Sequence, residues 1–120
     1  MLAPERIEQV FLHRSPVDMR RGRNGLCAIV QEVMQRDPFC EGALFCFTSR
    51  RRDRIKCIWW ARTGFVLWYK VLEGRERFPW PRHHEEDVVT VTAQQLEWLL
   101  EGYDVWKMKP HQTLHFSRTT

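Results

Sequence analysis

Short apolar stretches with strand character occur five times along the chain, and helical spacing of apolar residues occurs twice. Glu8 to His13, EQVFLH, reads as a short strand, and Ser15-Pro16 ends it because proline has no ladder donor. Leu26, Ile29, Val30, Val33 and Met34 then fall at i, i+3, i+4, i+7 and i+8. That spacing lays one apolar stripe along a helix running from an Asp18 N-cap to about Arg36, where Asp37-Pro38 stops it. Gly22 and Gly25 sit near its start, each costing about 1 kcal/mol relative to alanine. Either the first turn is distorted, or the glycines admit a close approach by a neighbouring segment or a ligand.

Ala43 to Thr48, Arg54 to Ala61 and Phe65 to Leu72 read as three further strands joined by turns short enough for antiparallel hairpins. The predicted meander buries one face against the first helix and leaves the other partly open. Ile55, Cys57 and Trp59 share one face of the middle strand, while Lys56, Ile58 and Trp60 share the other. Lys56 marks its face as the more exposed, and the expected pairing sets Trp68 and Lys70 beside Lys56 and Trp60. In EGRERFPWPRHHEED, Gly74, Pro79 and Pro81 favour a loop or short edge strand. Val88 to Val91 makes a brief strand. Thr92 caps a second helix, AQQLEWLLEG, with Gln95 at the capping-box position and Gly102 as the stop. The expected architecture is α+β: one domain with a mainly antiparallel sheet, a meander of about four to six strands, packed against an N-terminal and a C-terminal helix. Residues 1–110 form that unit and 111–120 a mobile tail.

Charge changes this picture from a generic small domain to one with two unlike ends. The chain has 120 residues, enough for one core and too few for an enzyme carrying its own cofactor domain. Its net charge is +4, but from Arg50 to Arg62 six basic residues meet one acid, a local charge of +5. His13 to Asn24 adds four arginines against Asp18, whereas Glu85 to Asp104 holds six acids and no Lys or Arg. Arginine supplies 15 of the 19 basic residues, which suits bidentate phosphate contacts and is equally what a GC-rich genome encodes. Candidate DNA contacts are therefore Arg20, Arg21, Arg23, Arg50, Arg51, Arg52, Arg54, Lys56, Arg62 and Lys70. The competing explanation is a solvated hairpin tip whose charge guards the sheet, with Trp59, Trp60 and Trp68 filling the core.

Other chemistry is sparse. Cys27, Cys40, Cys46 and Cys57 contain no C-x-x-C pair, which argues against zinc and for reduced thiols in a cytoplasmic protein. The first residues do not resemble a signal peptide and no apolar run is long enough to span a membrane. His83-His84 diverge as neighbours, and His111 with His115 lack a third ligand, so no metal or cofactor is expected. Asp18, Asp53 and Glu73 could meet as a metal-dependent nuclease site, but each has a plainer role at a cap, a turn or a strand end. No Walker, Rossmann, nucleophile-elbow or zincin motif is present, and no catalytic residue is assigned.

The succession Asp18-Met19-Arg20-Arg21-Gly22, Gly25-Leu26, Asp37-Pro38-Phe39, Gly42, Leu44-Phe45-Cys46-Phe47, Arg51, Asp53, Ile55-Lys56 and Trp59-Trp60 resembles a known family. Gly64, Leu67, Lys70, Leu72-Glu73, Phe78-Pro79-Trp80-Pro81 and Leu99-Leu100-Glu101-Gly102 continue the match in one register. The family comprises the TnpB-type accessory proteins, encoded by the second open reading frame of bacterial insertion sequences of family sixty-six. Arg62-Thr63 depart from it, standing where an acidic or small residue is expected. An unrelated RNA-guided nuclease shares the TnpB name, but this chain lacks its length and catalytic domain. The resemblance implies a mobile-element protein that assists transposition beside a separate DDE transposase, and it brings no assigned catalytic residues. Two functions of different class follow. One is a DNA-binding accessory acting through the arginines. The other is an adaptor whose acidic helix, with Glu97 and Glu101, docks on the transposase or a sister subunit, which admits a homo-oligomer.

Overall fold

A computed structural model describes residues 7–107 of the chain. The predicted tail at 111–120, and with it His111 and His115, lies outside the described residues. Strands β1 (Gln9–His13), β2 (Ala43–Thr48), β3 (Arg54–Ala61), β4 (Gly64–Val71) and β5 (Val88–Val91) form one sheet in the order β4-β3-β2-β1-β5. Helices α1 (Arg23–Glu32) and α2 (Ala93–Leu100) and a 3₁₀ turn at Val105–Lys107 complete the fold. It is the α+β arrangement expected, with two differences in how the sheet is covered and closed.

The first difference is the partner of β1. Only β2, β3 and β4 form the meander; β1 pairs with β2 in parallel and with β5 antiparallel. A parallel neighbour needs a crossover, and α1 supplies it. Second, both faces of the central strands β1, β2 and β3 are covered, and the sheet is open at the edge strand β4. Phe11, Phe45, Phe47 and Ile58 on one face pack with Leu26, Val30 and Met34, the last two on and just beyond α1. Val10, Leu12, Leu44, Cys46, Ile55, Cys57 and Trp59 on the other pack with Leu96 and Leu99 of α2 and with Phe78 and Trp80 of the proline-rich loop. Each of these large apolar side chains contributes roughly 1.5–3 kcal/mol by leaving water, so both layers matter to stability.

The β3–β4 register also departs from expectation. Lys56 opposes Tyr69 and Trp60 opposes Phe65, whereas Trp68 opposes Cys57 and Lys70 opposes Ile55. Directly opposed residues share a face, so Trp68 and Lys70 lie on the α2 side, away from Lys56 and Trp60. Since the side-chain period is two, a shift of one residue in pairing was enough to reverse the assignment. β4 is an edge, and Val66, Leu67, Tyr69 and Val71 remain exposed along it.

α1 is shorter than its periodicity suggests. Its N-cap is Gly22, without a side-chain cap bond, and not Asp18. The Asp18 carboxylate instead accepts the Arg20 backbone N–H at 2.9 Å, folding 18–20 into a local turn that competes with helix. A Cβ on Gly22 would meet nothing within 4 Å, so close packing does not explain that glycine, while one on Gly25 would press the Arg21 side chain at 3.3 Å. α2 matches its sequence signals. Thr92 and Gln95 form the reciprocal capping box. At the other end Gly102, at φ +100°, closes a Schellman motif in which the Gly102 and Tyr103 N–H groups reach the Leu99 and Trp98 carbonyls.

Candidate nucleic-acid interface

The β2–β3 turn, 49–53, carries the arginine run, and its backbone is tied from several directions. The Arg52 N–H reaches the Ser49 carbonyl at 2.9 Å. Ser49 Oγ donates to Asp53 Oδ1 at 3.0 Å and accepts the Arg54 N–H at 3.2 Å. From outside the turn, the Val17, Leu72 and Phe78 N–H groups donate to the carbonyls of Thr48, Asp53 and Arg52. Arg52 itself is held at φ +59°, a conformation that a non-glycine residue keeps only where its surroundings enforce it. A tip bound in this way presents its guanidiniums with less entropy to lose on binding than a free loop would.

Beside this turn lies the segment 17–21 that precedes α1. Val17, Asp18, Met19 and Arg20 line a cavity of about 530 Å³ together with Ser49, Arg50, Arg51, Asp53 and Arg54. Four predicted contacts, Arg20, Arg50, Arg51 and Arg54, are thus brought to one place from two distant stretches of chain. Two carboxylates share the cavity. The Asp18 carboxylate is gripped by the Arg20 guanidinium at 2.7 and 3.1 Å, and that bond holds its pKa down at about 2. Arg20 is correspondingly occupied, which leaves Arg50, Arg51 and Arg54 as the freer charges. Asp18 and Asp53 both line this cavity, and Glu73 does not. Among the described residues no group of three His, Cys, Asp or Glu side chains is placed to hold a metal ion.

Lys56 is the clear correction to the expected set. It is buried at 8% exposure, with Nζ donating to the main-chain carbonyls of Met19 at 2.5 Å and Arg21 at 2.8 Å, and the Tyr69 ring lies 5.1 Å away. A charge in an apolar strand suggests an open face; the ammonium is instead aimed under the 19–21 backbone and solvated by it. The remaining candidates disperse. Arg21 and Arg23 are exposed at the helix start, and Arg23 borders a separate hollow with Phe39 and Phe65. Arg62 occupies the two-residue β3–β4 turn at φ +61°, about 26 Å from Arg54 by strand rise. Lys70 lies on the α2 side of the edge strand.

Arg52 points away from its neighbours in sequence. It lines a second cavity, of about 480 Å³, with Arg77, Arg82, Lys107, His83, His84 and Trp106. The stretch around Phe78-Pro79-Trp80-Pro81, expected as a loop or short edge strand, contributes Arg77 and Arg82, which are absent from the expected contacts. The signal available was the basic residues flanking two prolines and a tryptophan.

Comparison with known proteins bears on this geometry. The family described as IS66 Orf2-like protein matches residues 8–110. The chain belongs to that family. Its similarity to uncharacterized protein y4jC of Sinorhizobium fredii (strain NBRC 101917 / NGR234) is 34% identity over 110 residues, 91% of each chain. Uncharacterized protein y4hO of the same strain is 36% identical over 105 residues, covering 88% of this chain and 87% of the relative. No solved structure matches significantly. In this IS66 Orf2-like chain the matched span contains both basic cavities, both helices and the whole sheet. No helix among the described residues is long and apolar enough to cross a membrane.

Proposed function

We propose that this protein is a non-catalytic accessory factor for transposition of an insertion sequence, and that it contacts DNA through the paired loops 17–21 and 49–54. The observation that carries the reading is the convergence of Arg50, Arg51 and Arg54 with Arg20 on one cavity whose backbone is cross-tied. Guanidiniums at such a site grip phosphate oxygens in pairs and release counterions, so the affinity is set by salt. The test is a mobility shift with duplex DNA, element ends included, across a salt series. The Arg50, Arg51 and Arg54 triple alanine is expected to lose most binding; equal binding by wild type and variant sinks the reading. Element ends left uncut with magnesium or manganese agree with an accessory role, and cleavage contradicts it.

A second reading is an adaptor that docks on the DDE transposase. Its support is that Glu97 on α2 and Glu101 at its C-cap, at i and i+4, lie exposed, and that neither enters a salt bridge among the described residues. Reversing both charges is expected to abolish co-purification with the transposase, and an unchanged pull-down argues against docking there.

A further inference from the structure

The hairpin tip divides its arginines between two sides of the sheet. Arg50, Arg51 and Arg54 border the cavity with Val17 and Met19, which pack on the α1 layer. Arg52 borders the other cavity with Phe78 and Trp80, which belong to the α2 layer. The two cavities are separate, and the second is the more positive: Arg52, Arg77, Arg82 and Lys107 face one acid, Asp104, whereas the first sets four guanidiniums against two carboxylates. Asp104 moreover has its own partner, Lys107, at 3.9 Å. Arg77 and Arg82 are exposed and Arg52 half-buried, and none of the three enters a salt bridge among the described residues. Burial first, and after it the charges of Arg82 and Arg77, lower the pKa of the Arg52 guanidinium from its ordinary value.

The cluster is also braced. Phe78 N–H donates to the Arg52 carbonyl at 2.7 Å, Trp80 Nε1 to the His13 carbonyl at 2.9 Å, and Trp106 Nε1 to the Pro79 carbonyl. The prolines on either side of Trp80 restrict the backbone further. On the rim, the His84 and Trp106 rings meet edge to face with centroids 5.0 Å apart, leaving aromatic surface next to the cations. Cations beside a half-buried indole and imidazole match a nucleotide, whose phosphate and base sit a few ångströms apart, better than they match a free anion.

We propose that the cleft of Arg52, Arg77, Arg82 and Trp106 is a second phosphodiester-binding site, taking a nucleic-acid strand on the side of the hairpin tip opposite Arg50 and Arg51. This extends the DNA-contact reading of the first cavity, and the two can fail separately. The hairpin tip then acts as a divider, with backbone phosphates held on both flanks.

Fluorescence anisotropy with labelled duplex and with a short oligothymidylate, over a salt series, tests it in the full chain. Arg77→Gln with Arg82→Gln is expected to weaken binding of at least one probe about tenfold and to lower the salt slope by about 1 to 2. Wild-type binding by that variant, with binding lost in Arg50→Gln/Arg51→Gln, overturns the second site and leaves the first. The reverse result overturns the first and leaves the second, and no binding by wild-type protein overturns both. Polyglutamate competing as well as oligothymidylate would assign the cleft to an acidic protein and overturn it. Should the double variant fail to fold, photocrosslinking of wild-type protein to bromouracil-substituted oligonucleotide decides. Adducts in 77–84 or on Trp106 support the site, and their absence there overturns it.

Discussion

The Lys56 ammonium donates to the Arg21 main-chain carbonyl at 2.8 Å, linking residues 35 apart in sequence. A second bond, to Met19, makes Lys56 a clamp beneath the loop that carries Arg20 and Arg21. Removing it leaves two carbonyls without their charged donor, which costs about 1–3 kcal/mol. Lys56→Met is therefore expected to lower the unfolding free energy by that amount, read as an earlier denaturant midpoint at unchanged slope, and to weaken DNA binding through a loosened loop. The salt slope separates this role from direct contact. It should stay near the wild-type value, and a loss of a full phosphate's worth would mean that Lys56 touches DNA itself.

Arg62 offers a contrast with the tip. Its left-handed conformation in a two-residue hairpin turn favours glycine or asparagine, so Arg62→Gly should raise stability by about 0.5–1 kcal/mol in a chemical melt. Its position at the far end of β3 makes the effect on DNA affinity smaller than that of Arg51→Ala. Equal losses in a titration would place the duplex along the whole hairpin.

Acid should destabilise the fold in two stages. His13 is buried at 7% exposure with its ring tilted against Phe47, and burial holds its pKa below the usual 6.5. The unfolded chain then binds the extra proton, so stability is highest above that value and falls as pH drops below it. Asp18 acts lower down: its contribution is complete above 3.8 and is lost as pH falls toward about 2. Thermal melts across pH check both, with His13→Gln expected to flatten the first decline and leave the second.

Thiol reactivity should report the layers of the core. Cys40 is exposed, Cys27 half-buried with its thiol pushed up by burial, and Cys46 and Cys57 are buried opposite one another with sulfurs 3.2 Å apart. A disulfide-exchange reagent should consume Cys40 quickly, Cys27 slowly and the other two only on unfolding. Rapid reaction of Cys46 or Cys57 in native protein would contradict the buried β2–β3 pair.

Local chemistry made much of this protein legible from its residues alone. Strands at Ala43 to Thr48, Arg54 to Ala61 and Val88 to Val91 follow from short apolar runs between turn residues. The capping box at Thr92 and the stop at Gly102 follow from the four orphan groups at each helix end. The family pattern and the arginine run needed no coordinates either. Tertiary structure alone decided the rest, because it turned on which segments meet. The parallel β1–β2 pair joins strands separated by a helix, and Lys56 looked like a solvent-facing charge until the 19–21 carbonyls closed over it. The same holds for the tip: adjacent arginines point apart, and only the fold brings Arg20 to Arg51 on one side and Arg77 and Arg82 to Arg52 on the other. Periodicity records which way a side chain faces along its own segment, and the partner waiting there is set by contacts between residues far apart in the chain.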